Sequence, residues 1–450
     1  MDKILMLGIL GVGMRRLAEI YNSLGYDIYG FDVNSDSAKQ HLESLGIKFI
    51  DKDFVVDKSF KKVIISSAIP ENNELLKKAK SLDIQIVKRG EALSEIAKNY
   101  KSIVVAGTHG KTSTTSIIST LLSSNLSVNA YIGGEHPKNS TFLKDAKYFV
   151  IESDESDRTF LLFKPYIGVV TSIDKDHLNA YNFSFENLKN AFGEFMSNCD
   201  TLVLNGEDEN IFEVSKHILK RKFFYGLWNR ELDAYVDSAQ FVEDGILFRA
   251  NILGNLLPEI FVNVFGDKYL LNTIASLLVA KLLNVDFSRF SEVLGSFRLP
   301  KRRLEFIGKY YDVYFFDDHA DHPTEVEASL SALKKHFQNN RIIAIFEPHR
   351  YTRVYTLGSE IGKPFYLSNI VVVLPIASAF ETPIDGINDE QVFDWIKERN
   401  PQKVVIKASN YDEAADIVLK LLKKDDLVIT LGPSKVNFVL EKILLKSGGI

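Results

Sequence analysis

The 450-residue chain reads as an α/β protein of three domains. Three features carry that reading. Short apolar runs alternate with longer segments of helical period almost from end to end, as they do in parallel βα units. Two of these runs, Lys3-Ile-Leu-Met-Leu7 and Ser102-Ile-Val-Val-Ala106, lead straight into glycine-bearing turns that open a helical pattern. Length is the third: at about 100 to 200 residues per domain, one core does not serve the whole chain. The expected divisions are 1–98, a Rossmann-like N-terminal domain; 99–299, a central P-loop ATPase-type domain; and 300–450, a C-terminal Rossmann-like domain.

Composition narrows the class. With 46% hydrophobic and 25% charged residues the chain has ample apolar content for several cores. A net charge of -5 argues against a general nucleic-acid surface. Cys199 is the lone cysteine and forms no internal disulfide, which suits a reducing, cytoplasmic setting. The apolar stretch from Ile4 to Met14 is broken by Gly8, Gly11 and Gly13 and runs into Arg15-Arg16, so neither a signal peptide nor a membrane span is expected. A soluble monomer or homodimer is the expectation.

In chain order, the first strand and the turn Gly8-Ile-Leu-Gly-Val-Gly13 precede a helical pattern through Leu17, Ile20, Tyr21 and Leu24. Tyr26-Asp-Ile-Tyr-Gly-Phe-Asp32 is the next strand, and Asp32 stands where a dinucleotide fold places a ribose-binding carboxylate. That pairing suits any diphosphate, so an NAD-dependent oxidoreductase is one reading, but it leaves the second turn unexplained. Strands at Lys62–Ala68 and Ile84–Val87 complete a domain expected to hold a nucleotide-linked substrate.

The second turn, Gly107-Thr-His-Gly-Lys-Thr-Ser113, combines converging backbone N–H groups, an amine and hydroxyls at a helix start. In this phosphate grip Lys111 is expected to neutralise the β- and γ-phosphates and Thr112 to reach Mg²⁺. Tyr148-Phe-Val-Ile151 then delivers Glu152-Ser-Asp-Glu-Ser-Asp157, and Ile167-Gly-Val-Val-Thr171 delivers Ser172-Ile-Asp-Lys-Asp-His177. Acids at buried strand ends are costly unless paired or bound to a cation, so a metal and phosphoryl site is the economical explanation. Residues Arg221 to about Val264 alternate like antiparallel strands, and Gly266-Asp-Lys-Tyr-Leu-Leu-Asn272 opens a long apolar helix.

Pro300-Lys-Arg-Arg-Leu-Glu305 reads as a basic hinge. Beyond it, the strand Tyr311–Phe316 ends in Asp317-Asp-His-Ala-Asp-His322, and Ile342–Phe346 ends in Glu347-Pro-His-Arg-Tyr-Thr-Arg353. Ligands of open α/β sheets bind beyond the carboxyl ends of strands, where these motifs fall. Arg350 and Arg353 have the fork suited to a carboxylate and are the candidates for gripping an amino acid.

Together these motifs resemble the Mur ligase family over nearly the whole length: the first glycine turn, Ser66-Ser-Ala-Ile69, the Gly107 to Thr112 loop, the Glu152 to Asp157 acids, the Asp176-His177 pair, Lys301-Arg-Arg303, Asp317-Asp with His322-Pro-Thr-Glu325, and Pro348-His-Arg-Tyr-Thr-Arg353. The resemblance implies an ATP-dependent ligase that joins an amino acid to the carboxylate of a UDP-muramic acid through an acyl phosphate. The implied substrates are UDP-N-acetylmuramate and an amino acid, L-alanine first, with ATP and Mg²⁺ as cofactors. By family position Lys111, Glu152, Asp176 and His177 serve catalysis, with Thr112, Glu152 and His177 on the metal. Gly107, Thr108, His109, Gly110, Ser113, Asn272, Arg302 and Asp317 would contact the nucleotide, while Gly8, Gly11, Gly13, Asp32, Ser66 and Ser67 would hold the UDP substrate.

The chain also departs from the family. Lys268 and Tyr269 replace the usual companions of Asn272, and Tyr269 is expected to stack on the adenine. His319 and Asp321 stand in the amino-acid and muramoyl region, where Asp321 suits an ammonium group. A ligase with another amino acid or a peptide as acceptor, or a non-catalytic nucleotide-binding relative, are the competing expectations.

Overall fold

The computed structural model describes residues 2–34, 37–133, 142–379 and 381–446. The α/β class and three-part architecture expected from the sequence are present as three sheets. Two compact units contain them. One comprises Met1–Tyr235, Asn251–Asn255 and Asn272–Val293; the other comprises Val236–Ala250, Leu256–Leu271 and Leu294–Ile450.

In the first unit, β1 (Lys3–Leu7), β2 (Asp27–Phe31), β3 (Lys48–Phe49), β4 (Phe60–Ile65) and β5 (Gln85–Lys88) form a parallel sheet in the order β3-β2-β1-β4-β5. Six more parallel strands follow: β6 (Lys101–Ala106), β7 (Val128–Tyr131), β8 (Tyr148–Glu152), β9 (Ile167–Val170), β10 (Thr201–Asn205) and β11 (Arg221–Tyr225), ordered β11-β10-β9-β6-β8-β7. Strands covered on both faces need apolar residues throughout, and Ile103, Val104, Val105 and Ala106 of β6 are wholly buried. One cluster of apolar side chains runs from Ile4 and Leu17 through Tyr131 to Phe192 and Leu204, so the N-terminal and central sheets share a core. β8 and β9 flank β6, which brings the acidic segment after β8 and the segment after β9 to either side of the loop that leaves β6.

The second unit holds an antiparallel element and the third sheet. β12 (Ala234–Val242) neighbours β13 (Gly245–Ile252), with β14 (Asn255–Leu256) beside it, and β15 (Ile260–Val262) pairs antiparallel with β13. The antiparallel expectation therefore holds for β13 with β15 but not for β11, which lies parallel to β10 and to the start of β12 and extends the central sheet. β16 (Glu305–Tyr310), β17 (Val313–Asp318), β18 (Ile342–Phe346), β19 (Ile370–Val373), β20 (Val404–Lys407) and β21 (Leu427–Leu431) are ordered β16-β17-β21-β18-β19-β20. All pair in parallel except β16 with β17. The strand read as starting at Tyr311 starts at Val313, because Tyr311 and Asp312 make the turn of this hairpin with φ of 52° and 59°. Among the described residues, no helix is long and apolar enough to cross a membrane.

Candidate phosphoryl-transfer site

The loop after β6 is shaped by two glycines. Gly107 has φ 141°, and a Cβ there would lie 2.1 Å from Thr171 Oγ1, so the segment that leaves β9 presses directly on the loop. Gly110 has φ 85° and caps the helix Lys111–Ser123. Thr108 N donates to Ser172 O at 2.9 Å and His109 N to Ser172 Oγ at 2.9 Å, fixing the turn against the segment after β9. His109 Nε2 lies 3.1 Å from Asp174 Oδ2. Ser113 is buried in the first turn of the helix.

Lys111 folds back across its own loop. Its Nζ donates to Gly107 O at 2.7 Å, Thr108 O at 3.2 Å and Glu155 Oε2 at 2.7 Å. Burial works against the ammonium, but Glu155 and Asp154 outweigh it and hold Lys111 above its ordinary value. Burial likewise pushes the Glu155 carboxyl up. Glu155 is wholly buried and its Oε1 has no hydrogen-bond partner among the described residues. The acids after β8 were legible as a group; that Glu155 partners Lys111 was not, since Glu152 carried the expected role.

Thr112 Oγ1 donates to Glu152 Oε1 at 2.7 Å, and Gly133 N donates to Glu152 Oε2 at 2.6 Å. The expected metal pair is thus together at the base of the loop. His177, with φ 52°, places Nε2 3.9 Å from Glu155 Oε1 and 3.6 Å from Asp176 Oδ2. A threonine hydroxyl, carboxylate oxygens and Glu155 Oε1, which has no hydrogen bond among the described residues, are hard donors, and they fit a small divalent cation such as Mg²⁺. Asn272 stands over the loop: a Cβ on Gly110 would meet its Oδ1 at 3.1 Å, and its Nδ2 has no partner among the described residues. A buried amide donor left open beside a phosphate loop is suited to a ligand acceptor.

The first glycine turn is braced from two sides. Gly8 N donates to Phe31 O at 2.8 Å, and Asp32 Oδ2 accepts from Leu10 N at 2.8 Å, so the acid supports the turn itself. A Cβ on Gly8 would lie 2.9 Å from Ser66 Cβ, placing Ser66 against the turn, with Ser67 exposed next to it. Gly11 caps the helix Val12–Ser23, whose second residue is Gly13.

In the third sheet the expected nucleotide contacts are already engaged. Arg302 Nε donates to Asp317 Oδ2 at 2.8 Å, Nη1 to Ser434 O at 2.6 Å and to Pro433 O at 3.0 Å, and Nη2 to Gly432 O at 2.6 Å. Asp317 Oδ1 accepts from Thr430 Oγ1 at 2.7 Å. Arg302 therefore latches the turn after β21. Asp321 is buried and paired with the Arg353 guanidinium, with His349 Nδ1 at 3.5 Å. Burial alone would raise this carboxyl, but Arg353 and His349 hold it below the usual range. The expectation of a carboxylate open to an ammonium group is corrected: Asp321 is spent on Arg353. Arg350 differs, being exposed and without a side-chain partner among the described residues. His319 is held down to about 4, by burial first and then by Arg303. Tyr269 is 2% exposed, which corrects the expectation of a ring open to stack on adenine. Its neighbour Lys268 pairs with Glu325 at 3.5 Å.

The Mur ligase family catalytic domain matches residues 3–101, the Mur ligase middle domain residues 105–280, and the Mur ligase glutamate ligase domain residues 302–433. A UDP-N-acetylmuramate–L-alanine ligase of Dictyoglomus turgidum is 35% identical over 449 residues, covering 98% of this chain and 96% of the relative. The ligase of the same name from Brachyspira hyodysenteriae is 36% identical, covering 97% of this chain and 96% of the relative. Among solved structures, a UDP-N-acetylmuramate–alanine ligase of Thermotoga maritima shares the fold with a TM-score of 0.81 at 23% identity, over 99% of both chains. Three consecutive domain matches and end-to-end similarity, on a chain whose phosphate loop and strand-end acids meet, establish that it belongs to the Mur ligase family.

Proposed function

We propose that this protein is an ATP-dependent, ADP-forming ligase of peptidoglycan precursor synthesis that joins L-alanine to UDP-N-acetylmuramate. The observation that carries the reading is the end-to-end similarity, at 35% identity, to ligases of that specificity. The site chemistry agrees with it. A lactyl carboxylate oxygen attacks the γ-phosphorus of ATP, the bond to the β–γ bridging oxygen breaks, and ADP leaves with that electron pair. The amine of alanine then adds to the acyl carbon, loses its proton, and expels phosphate with the former carboxylate oxygen.

Phosphoryl transfer depends on positioning and charge neutralisation. Lys111 supplies a cation that its loop carbonyls and Glu155 hold in place, and the N–H groups at the start of the helix Lys111–Ser123 face the anion. Asn272 offers its open amide to the adenine. Mg²⁺, when bound, would neutralise phosphate charge between nucleotide and substrate. Thr112 and Glu152 would hold it, with His177 as the further ligand. Arg350 is the open fork for the alanine carboxylate, and Arg353, fixed by Asp321, frames it.

The test is phosphate release by the purified protein with ATP, Mg²⁺, UDP-N-acetylmuramate and a panel of amino acids, with product masses recorded. Alanine-dependent release with the matching amide mass is expected, as is a loss of at least about 100-fold in Lys111→Ala. Turnover with a different acceptor, or unchanged turnover in the variant, would overturn the assignment.

A further inference from the structure

Gly13, Arg89, Tyr131 and Asp157 lie far apart in the chain, yet they form one hydrogen-bonded line within the first unit. Tyr131, at the end of β7 and 2% exposed, donates from Oη to Gly13 O at 3.0 Å and accepts from Arg89 Nη1 at 2.9 Å. The other arm of the same guanidinium, Nη2, donates to Asp157 Oδ2 at 2.8 Å. Gly13 closes the first glycine turn, and Asp157 closes the acidic segment that begins at Glu152. The fit is tight, because a Cβ on Gly13 would lie 2.6 Å from Tyr131 Oη and 2.7 Å from Arg89 Nη1.

The end of β7 is fastened at further points. Arg16, in the helix that leaves the first glycine turn, donates to Ala130 O from Nε at 3.4 Å and Nη2 at 3.3 Å. Two residues beyond Tyr131, Gly133 N holds Glu152 Oε2 at 2.6 Å, and the same carboxylate accepts from Thr112. One short segment therefore touches both the turn assigned to the UDP diphosphate and the carboxylate assigned to the metal.

We propose that Arg89 and Tyr131 are positioning residues for the ligase reaction. They fix the separation between the diphosphate turn and the Thr112–Glu152 corner where the γ-phosphate is attacked. The inference rests on the ligase reading. In that reaction the diphosphate and the attacking carboxylate are two parts of one substrate. With the diphosphate held by the N-terminal sheet, the carboxylate reaches the γ-phosphorus only if the two sheets keep the right spacing. A displacement of about 1 Å at such a step costs about 100-fold in rate. Arginine suits the position because its planar fork bonds Tyr131 and Asp157 at once, which a lysine does not reproduce.

The experiment compares wild type, Tyr131→Phe, Arg89→Lys and the double variant by phosphate release and amide formation. ATP and UDP-N-acetylmuramate are varied separately, and each protein is assayed well below its own Tm. Each single variant is expected to lower kcat by about 10- to 100-fold with KM for ATP within about twofold, and the double variant to be no worse than the worse single, because the pair acts as a unit. Wild-type kcat in both single variants would overturn the inference. So would a defect confined to KM for ATP, or one that vanishes when the assay is moved further below Tm. A wild-type protein that forms no amide would instead overturn the ligase reading, and this inference with it.

Discussion

Asp321 is buried against the Arg353 guanidinium and flanked by His349, so its charge is already compensated. Removing one member of a buried pair leaves the other charge uncompensated, so Asp321→Ala is expected to destabilise the protein by about 3–5 kcal/mol in denaturant titrations. Unchanged stability together with a raised KM for L-alanine would restore the ammonium role. His319 gives a pH signature at the same scale. Its folded value of about 4 lies below the ordinary 6.5, so the unfolded chain takes up a proton that the folded chain refuses. The stability that this neutral imidazole contributes is complete above pH 6.5 and is lost as pH falls toward 4. His319→Gln should flatten that part of the stability curve, measured as denaturant midpoints across the window; an unaltered slope would contradict the assignment.

At the scale of elements, the decisive feature is a strand, a glycine turn and a helix with acidic strand ends on both sides. Gly107→Ala places a methyl group where Thr171 Oγ1 stands, in a backbone conformation that disfavours a side chain. The variant is expected to lose about 1–3 kcal/mol of stability and most ATP turnover. ATP-dependent phosphate release and thermal unfolding check both, and normal turnover would mean the loop does not need this shape. This part was legible in the sequence because the loop is contiguous and each acidic group directly follows an apolar run. What was not legible depends on contacts between distant segments. Nothing near Arg302 signals that it latches Gly432 to Ser434, and nothing near Arg89 signals Tyr131. β16 has no clear signature in the sequence, because its register shifts between Phe306 and Gly308, which spoils the alternation of a regular strand. β11 was read as antiparallel because alternation does not report strand direction; the partner strand decides it.

At the scale of the whole molecule, the three-domain organisation follows from alternating strands and helices. The chemistry follows from strand order, since β8 and β9 flank β6 and so gather Lys111, Thr112, Glu152, Glu155 and His177 from separate segments. The N-terminal and central sheets share a core, which makes the first unit a fixed frame for a substrate that spans from diphosphate to carboxylate. In the proposed reaction the UDP-N-acetylmuramate carboxylate is activated by phosphorylation before the amine attacks. Supplying UDP-N-acetylmuramate labelled with ¹⁸O in the lactyl carboxylate, together with ATP, Mg²⁺ and L-alanine, and measuring the released phosphate by mass tests that order. Phosphate carrying a carboxylate oxygen is expected, in step with amide formation; amide formed alongside unlabelled phosphate would mean that no acyl phosphate lies on the path.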